Sequence, residues 1–272
     1  MKIFLKSFSM AVLAAGLVAC GGGSDTPEKA GASSGNPNTG VAPTSLRIAT
    51  EAAYAPFASV NSSGEIVGFD IDIMNALCDR MKTECNISNQ EWNGLIPGLK
   101  ARKFDAVIAA MSVNEDRRKA VDFTDVYYKV PARFVSKKGA AEGVDFTPGK
   151  LQGKTVAVLK GSTHDKFLTE QFGSAIKVTR SNDTPSAFID LQNGRVDMVF
   201  SEESVLREFL DQDRNTDVFE LAGPQFTDDA YFEGFAIAVD KGRSELVNRF
   251  NDALESIRAD GTYDNLVQKH FE

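Results

Sequence analysis

The residues best placed to do chemistry lie close together, between Phe104 and Asp125 (FDAVIAAMSVNEDRRKAVDFTD). The short apolar run Val107–Ala110 reads as a buried strand. It ends in small residues, Ala109 and Ala110, with Ser112 just beyond. Small side chains at a strand end let a ligand approach the backbone. Asn114, Glu115 and Asp116 then spell a helix start, with Asn114 as the N-cap. Arg117 falls in the first turn, where the helix dipole disfavours a cation. An arginine in that position makes sense if it holds an anion, and its planar fork suits a carboxylate. The same spacing also suits a surface arginine paired with Glu115, Asp116 or Asp122.

Other chemistry is sparse. The chain has two histidines, His164 and His270, and neither sits in a Ser or Asp motif. Gly143…Gly149-Lys150 is one residue too long for a phosphate-binding loop, and Leu151 stands where Ser or Thr is needed. No cluster has metal-ligand spacing, so neither a metal nor a cofactor is expected. With 30 basic against 38 acidic residues the formal charge is −8. Nothing basic is concentrated enough to track nucleic-acid phosphates.

The elements that must position Arg117 alternate between strand and helix. Leu46–Thr50 reads as the first strand and Glu51–Pro56 as a loop at its end. Phe57–Val60 and Ile66–Phe69 flank the turn Asn61-Ser62-Ser63-Gly64, a hairpin signal. A helix then starts at Asp70 or Asp72, carboxylates that the dipole favours there. Its apolar residues Ile73, Met74, Leu77 and Met81 recur at three and four. Trp92–Lys100 is a second amphipathic segment, and Phe104–Ala110 the next strand.

The second half repeats the plan. Thr155–Leu159 is a strand, Gly161-Ser162-Thr163 a turn and His164–Phe172 a helix. The backbone N–H of Thr163, at that helix start, suits an anion, although simple capping explains it equally. Ile176–Thr179 is a strand, Thr184 caps a helix ending at Gly194, Val196–Phe200 is a strand, and Ser201 begins another helix. Tyr231–Val239 is a long apolar run, followed by a helix over Ser244–Ala259. The alternation predicts α/β sheets that are mainly parallel. There is also an internal echo. Leu99-x-x-x-Lys103-Phe104-Asp105-Ala106-Val107 aligns with Leu191-x-x-x-Arg195-Val196-Asp197-Met198-Val199. The same offset sets Ala110 and Ser112 against Glu202 and Ser204. Ligands of open α/β sheets bind beyond the carboxyl ends of strands, so two facing sheets would hold these positions across one cleft.

Residues 1–20 read as a targeting segment. Lys2 and Lys6 precede the apolar Met10–Ala19, which is too short to span a membrane. Leu17-Val18-Ala19-Cys20 has the form of a bacterial lipobox, in which Cys20 is lipidated and becomes the first mature residue. Residues 21–44 are rich in Gly, Ser, Pro, Asn and Ala, and read as a flexible linker with a reach of about 25–30 Å.

The segment DAVIAAMSVNEDRRKAVDFTDVYY resembles the substrate-binding proteins of ABC transporters for polar amino acids, among them lysine/arginine/ornithine-, histidine- and glutamine-binding proteins. GFDIDIMNALC and RADGTYDNLVQKHF carry the same resemblance, which runs from about Leu46 to Phe271. It implies the two-lobed type II periplasmic-binding-protein fold, with residues 45–131 and 231–272 in lobe 1 and residues 132–230 in lobe 2. Two crossings, near Lys129–Arg133 and Phe226–Tyr231, form the hinge. It also implies a Cys78–Cys85 disulfide, which suits an exported protein.

The resemblance assigns the site residue by residue. Arg117 and Ser112 hold the ligand α-carboxylate, aided by Thr163 from lobe 2. Tyr54 and Trp92 sandwich the ligand side chain, and Glu51 meets its far end. Glu202 stands where an Asp usually binds the α-amino group. Ala109 and Ala110 replace serines of the basic-amino-acid binders, leaving backbone groups in their place. The implied partners are a free amino acid, an ABC permease in the inner membrane, and a membrane reached through the lipid anchor. The implied protein is a monomer on the periplasmic or cell-surface side of the envelope. Two aromatic faces and a carboxylate favour a basic side chain, arginine first, then lysine, ornithine or histidine. The alternatives are a glutamine or cystine binder, or an enzyme on the same scaffold acting on prephenate or arogenate through Glu202.

Overall fold

The computed structural model describes residues 45–212 and 214–272. The targeting segment with Cys20 and the linker 21–44 lie outside the described residues. The strands are β1 (Ser45–Thr50), β2 (Ala53–Tyr54), β3 (Ala58–Val60), β4 (Ile66–Val67), β5 (Glu84–Asn89), β6 (Ala106–Val107) and β7 (Val121–Phe123), then β8 (Ala132–Lys137), β9 (Thr155–Leu159), β10 (Lys177–Ser181), β11 (Met198–Glu202), β12 (Phe219–Phe226) and β13 (Ala238–Asp240).

Two five-stranded sheets share one plan. The first runs β5-β1-β6-β13-β7 and the second β10-β9-β11-β8-β12. In each, the first three strands in that order are parallel and the remaining pairings antiparallel. A small antiparallel sheet, β2-β3-β4, sits beside the first. The chain passes from the first sheet to the second between β7 and β8, and returns between β12 and β13.

The sequence echo has a structural meaning. Ala106 pairs with Ile48 as Met198 pairs with Val156. Asp105 donates its N–H to the Arg47 carbonyl at 2.7 Å, and its carboxylate accepts the Arg47 N–H at 3.0 Å. Asp197 does the same with Thr155, at 2.8 and 2.7 Å. One aspartate in each half therefore sets the register of β6 on β1 and of β11 on β9.

Several elements depart from the sequence reading. The Phe104–Ala110 strand is only two residues long, because the chain turns away before Ala110, whose φ is +43°. Part of the Glu51–Pro56 loop is the edge strand β2. Strand β5 (ECNISN), which the sequence reading does not include, is an edge strand that sets only Cys85 and Ile87 against the first core and leaves its other residues exposed. Strand β11 runs through Ser201 to Glu202, and the next helix starts at Glu203. The helix over Thr184–Gln192 is capped by Asp183, whose carboxylate accepts the Ser186 N–H, rather than by Thr184. Helix Ser244–Ala259 lies as expected.

The helix Phe69–Met81 packs Phe69, Ile73, Met74, Leu77 and Cys78 into the first core, and Cys78 is bridged to Cys85. Closing so short a loop contributes about 2–3 kcal/mol. Gly68, which precedes the helix, has φ +134°, and a Cβ there would come within 2.3 Å of the Phe57 carbonyl oxygen. Any side chain would push the helix off the small sheet.

Candidate functional site

The carboxyl ends of β1, β6, β9 and β11 converge on a nearly closed cavity whose free volume is about 10 Å³. All eight residues singled out as ligand contacts line it: Glu51, Tyr54, Trp92, Ala110, Ser112, Arg117, Thr163 and Glu202. Ala109, Leu159, Ser162 and His164 complete the lining. The lining side chains nearly fill the space between the two sheets, leaving room for about one water molecule. A wider groove of about 510 Å³ shares Arg117, Ser162 and Thr163 with the cavity.

Arg117 sits in a short helix, Glu115–Ala120, whose cap is Asn114: its side chain accepts the Arg117 N–H at 2.8 Å. The guanidinium is buried. It donates to the Ser112 carbonyl at 2.7 Å and more weakly to the Gly161 carbonyl at 3.4 Å. Its plane lies over the Trp92 ring, 5.0 Å from the centroid. The acids that could have neutralised it at the surface are otherwise engaged or exposed. Asp116 pairs with Lys119 and Lys166, Asp122 pairs with Lys241, and Glu115 is exposed. Among the described residues no carboxylate forms an ion pair with Arg117. Burial lowers its pKa to about 10, and an anion brought to it would be held without competition.

The carboxylates of the cavity are in the converse position. Glu51 and Glu202 are each 4% exposed. Burial, reinforced by Asp183, pushes Glu51 up to about 7. Burial, with Glu51 adding to it, pushes Glu202 up to about 8. His164, which the sequence reading set aside, lies against Glu202, with Nε2 at 3.5 Å from Oε1. That is too long for a hydrogen bond, and Nε2 has no other partner among the described residues. Burial and the nearby Arg117 lower its pKa to about 3, so the ring is neutral. Its position beside Thr163 was visible in the sequence; its burial against Phe200 and Phe232 was not.

The two halves touch around the cavity. Tyr54 Oη lies 2.9 Å from Ser201 Oγ. Thr163 Oγ1 donates to Ser112 Oγ at 3.4 Å, and Lys166 pairs with Asp116 at 2.8 Å. The N-cap of the helix carrying Thr163 is Ser162, whose hydroxyl accepts the Asp165 N–H. Thr163 is therefore not needed as the cap.

Asp70 lies in the first turn of its helix, as expected, and is also fully buried, which the sequence did not show. Its Oδ2 accepts the Ala110 N–H at 2.7 Å, and its Oδ1 accepts the Tyr127 hydroxyl at 2.7 Å. The first bond holds a non-glycine residue with positive φ at the cavity wall. The second ties that wall to the segment leading toward the second sheet.

A family model described as "Bacterial extracellular solute-binding proteins, family 3" matches residues 46–272. The L-arginine-binding protein of Pseudomonas aeruginosa is 43% identical over 229 residues, covering 83% of this chain and 87% of that one. The lysine/arginine/ornithine-binding periplasmic protein of Escherichia coli is 36% identical over 233 residues, covering 85% and 88%. Among solved structures, a Salmonella typhimurium periplasmic binding protein described for its high arginine specificity superposes with a TM-score of 0.77 at 34% identity, covering 84% of this chain and 99% of that one.

The buried Asp70 makes a measurable prediction. Burial raises its pKa from 3.8 to about 7, against the opposing hydrogen bonds from Tyr127 and Ala110. Between those values the folded chain keeps a proton that the unfolded chain has released, so this contribution to stability is full below about pH 4 and is lost as pH rises through about 7. Asp70→Asn removes the titration. The stability of the wild type relative to this variant, from denaturant melts, should fall across that window. A difference that stays flat would mean that Asp70 ionises in the ordinary range.

Proposed function

Because the chain belongs to the family 3 bacterial extracellular solute-binding proteins, we propose that it captures a basic amino acid between its lobes for an ABC importer. Arginine is the first choice, then lysine, ornithine or histidine. In this reading the lobes are residues 45–131 with 231–272 and residues 132–230, and they close on hinges near Lys129–Arg133 and Phe226–Tyr231. The protein acts as a monomer, tethered to the membrane by lipid on Cys20.

The observation that carries the ligand assignment is the charge inventory of the cavity. Two buried carboxylates, Glu51 and Glu202, face one buried guanidinium, Arg117, with His164 neutral. An unpaired charge of this kind is costly in a dry site. A basic amino acid supplies the complement: its α-carboxylate for Arg117, its α-ammonium for Glu202, its side-chain cation for Glu51. Glutamine would satisfy the first two and leave Glu51 with only an amide. Tyr54 and Trp92 add aromatic faces to the same space, and a guanidinium stacks on such faces better than an ammonium. The relatives named for binding arginine and for binding lysine, arginine and ornithine support the choice.

Thermal shifts with each common amino acid test the assignment. A ligand at about one hundred times its Kd adds roughly 2.7 kcal/mol of stability, so arginine should raise the melting temperature most. Arg117→Ala should lose about 3–5 kcal/mol of binding for every amino acid, whereas Glu51→Gln should weaken arginine and spare glutamine. If glutamine shifts the wild type and arginine and lysine do not, the basic-ligand assignment fails. For the anchor, Cys20→Ala should release the protein from membranes with arginine binding intact. Continued extraction of that variant with the membrane lipids would contradict lipidation at Cys20.

A further inference from the structure

Tyr54 enters the reading above only as an aromatic face, and Ser201 does not enter it at all. Yet the Tyr54 hydroxyl lies 2.9 Å from Ser201 Oγ, and Ser201 Oγ lies 3.3 Å from Glu202 Oε2. The three residues are 7%, 4% and 4% exposed. Tyr54 belongs to β2, beside the first sheet, whereas Ser201 and Glu202 end β11 of the second. A chain of two hydroxyls thus crosses the gap between the lobes and stops on a buried carboxylate.

The two oxygens of Glu202 have different surroundings. Oε2 faces the serine hydroxyl at 3.3 Å, a long hydrogen bond, while Oε1 faces His164 Nε2 at 3.5 Å, longer still. The remaining acid that bears on Glu202 is Glu51. One oxygen is therefore held from behind, and the other is left for a donor arriving in the cavity.

A serine hydroxyl carries a single proton. If it donates to Glu202, it must accept from Tyr54, and if Glu202 is protonated and donates, the serine is turned toward Tyr54. The direction and strength of the chain therefore follow the charge on Glu202. With Glu202 ionised, Tyr54 donates to Ser201 and Ser201 donates to a carboxylate. That bond is charge-assisted and polarises the one behind it. A ligand ammonium at Oε1 favours that ionised form, which burial alone opposes.

We propose that Ser201 is a positioning residue that couples lobe closure to the ligand's ammonium: it passes the ionised state of Glu202 to the Tyr54 hydroxyl on the opposite lobe. The proposal rests on the reading that Glu202 receives the α-ammonium. It gives Tyr54 a second role, in which the ring packs on the ligand and the hydroxyl latches the lobes. It also gives the cavity a means of closing on amino acids in preference to carboxylates that lack an amino group.

A double-mutant cycle tests it. Tyr54→Phe keeps the ring and removes the hydroxyl; Ser201→Ala cuts the chain from the other lobe. Each should weaken arginine binding about three- to tenfold, the scale of one hydrogen bond. The double variant should be no weaker than the worse single one, because either cut breaks the same chain. Ser201→Thr, which keeps a hydroxyl, should restore most of the loss. The losses should appear in the dissociation rate, and in a smaller decrease of the radius of gyration by X-ray scattering when arginine is added. In Ser201→Ala the ratio of arginine to ornithine affinity should not move, since Glu51, Tyr54 and Trp92 are untouched. Melting of the ligand-free variants, which checks their folding, should match the wild type. Losses that multiply in the double variant, or a Ser201→Ala protein that binds and closes like the wild type, would overturn the relay. If the wild type bound no amino acid, the underlying reading would fail and the relay with it, so the two failures are distinguishable.

Discussion

Charge without water is the constraint on which this molecule turns. Glu51, Glu202 and Arg117 sit nearly sealed from solvent in one small space, and burial drives all three toward their neutral forms. A carboxylate or guanidinium so placed is tolerable when an opposite charge reaches it and costly otherwise. The surrounding structure keeps those opposite charges from coming out of the protein itself. Lys166, Lys119 and Lys241 are occupied by Asp116 and Asp122, and Arg133 and Arg207 by Glu203. His164, the nearest base to Glu202, is held neutral. The cavity is left complementary to a small zwitterion with an extra cation.

The fold supplies the precision. Two sheets of the same design bring the ends of their third strands to one cavity, and Asp105 and Asp197 fix those strands by the same pair of hydrogen bonds. Ala110 is held with positive φ by Asp70, which also grips Tyr127 on the way to the second sheet. The wall of the cavity and the connection between the sheets therefore share a buried carboxylate. The contacts that join the halves are a mixture of kinds: a hydroxyl pair at Tyr54 and Ser201, another at Thr163 and Ser112, and the exposed ion pair Lys166–Asp116. The ion pair is exposed and contributes little. The buried hydroxyls are the sensitive part.

Much of this was legible in the sequence because it rests on local chemistry. A helix start with an ill-placed arginine pointed to anion binding, and the Lys/Arg-x-Asp-x-Val echo pointed to two equivalent strand ends, which the sheet register bears out. The residues that escaped are those whose role is set by partners distant in the chain. Asp70 looks like any carboxylate favoured by a helix dipole until Tyr127 and Ala110 close around it. Ser201 looks like a helix start until β11 carries it to the Tyr54 hydroxyl. Strand β5 offers only Cys85 and Ile87 to the core because it is an edge, and β6 stops early because Ala110 leaves the strand conformation. In each case tertiary contact overrides local pattern.

The most direct test of the central claim separates charge from shape. Citrulline has nearly the outline of arginine but no side-chain charge. Calorimetric titration of the wild-type protein with both, at the same pH and salt, asks whether Glu51 requires a cation. If the buried carboxylates select the ligand by charge, citrulline should bind at least about a hundredfold more weakly than arginine. Affinities within about threefold of each other would mean that shape and hydrogen bonding suffice, and the charge account would be wrong.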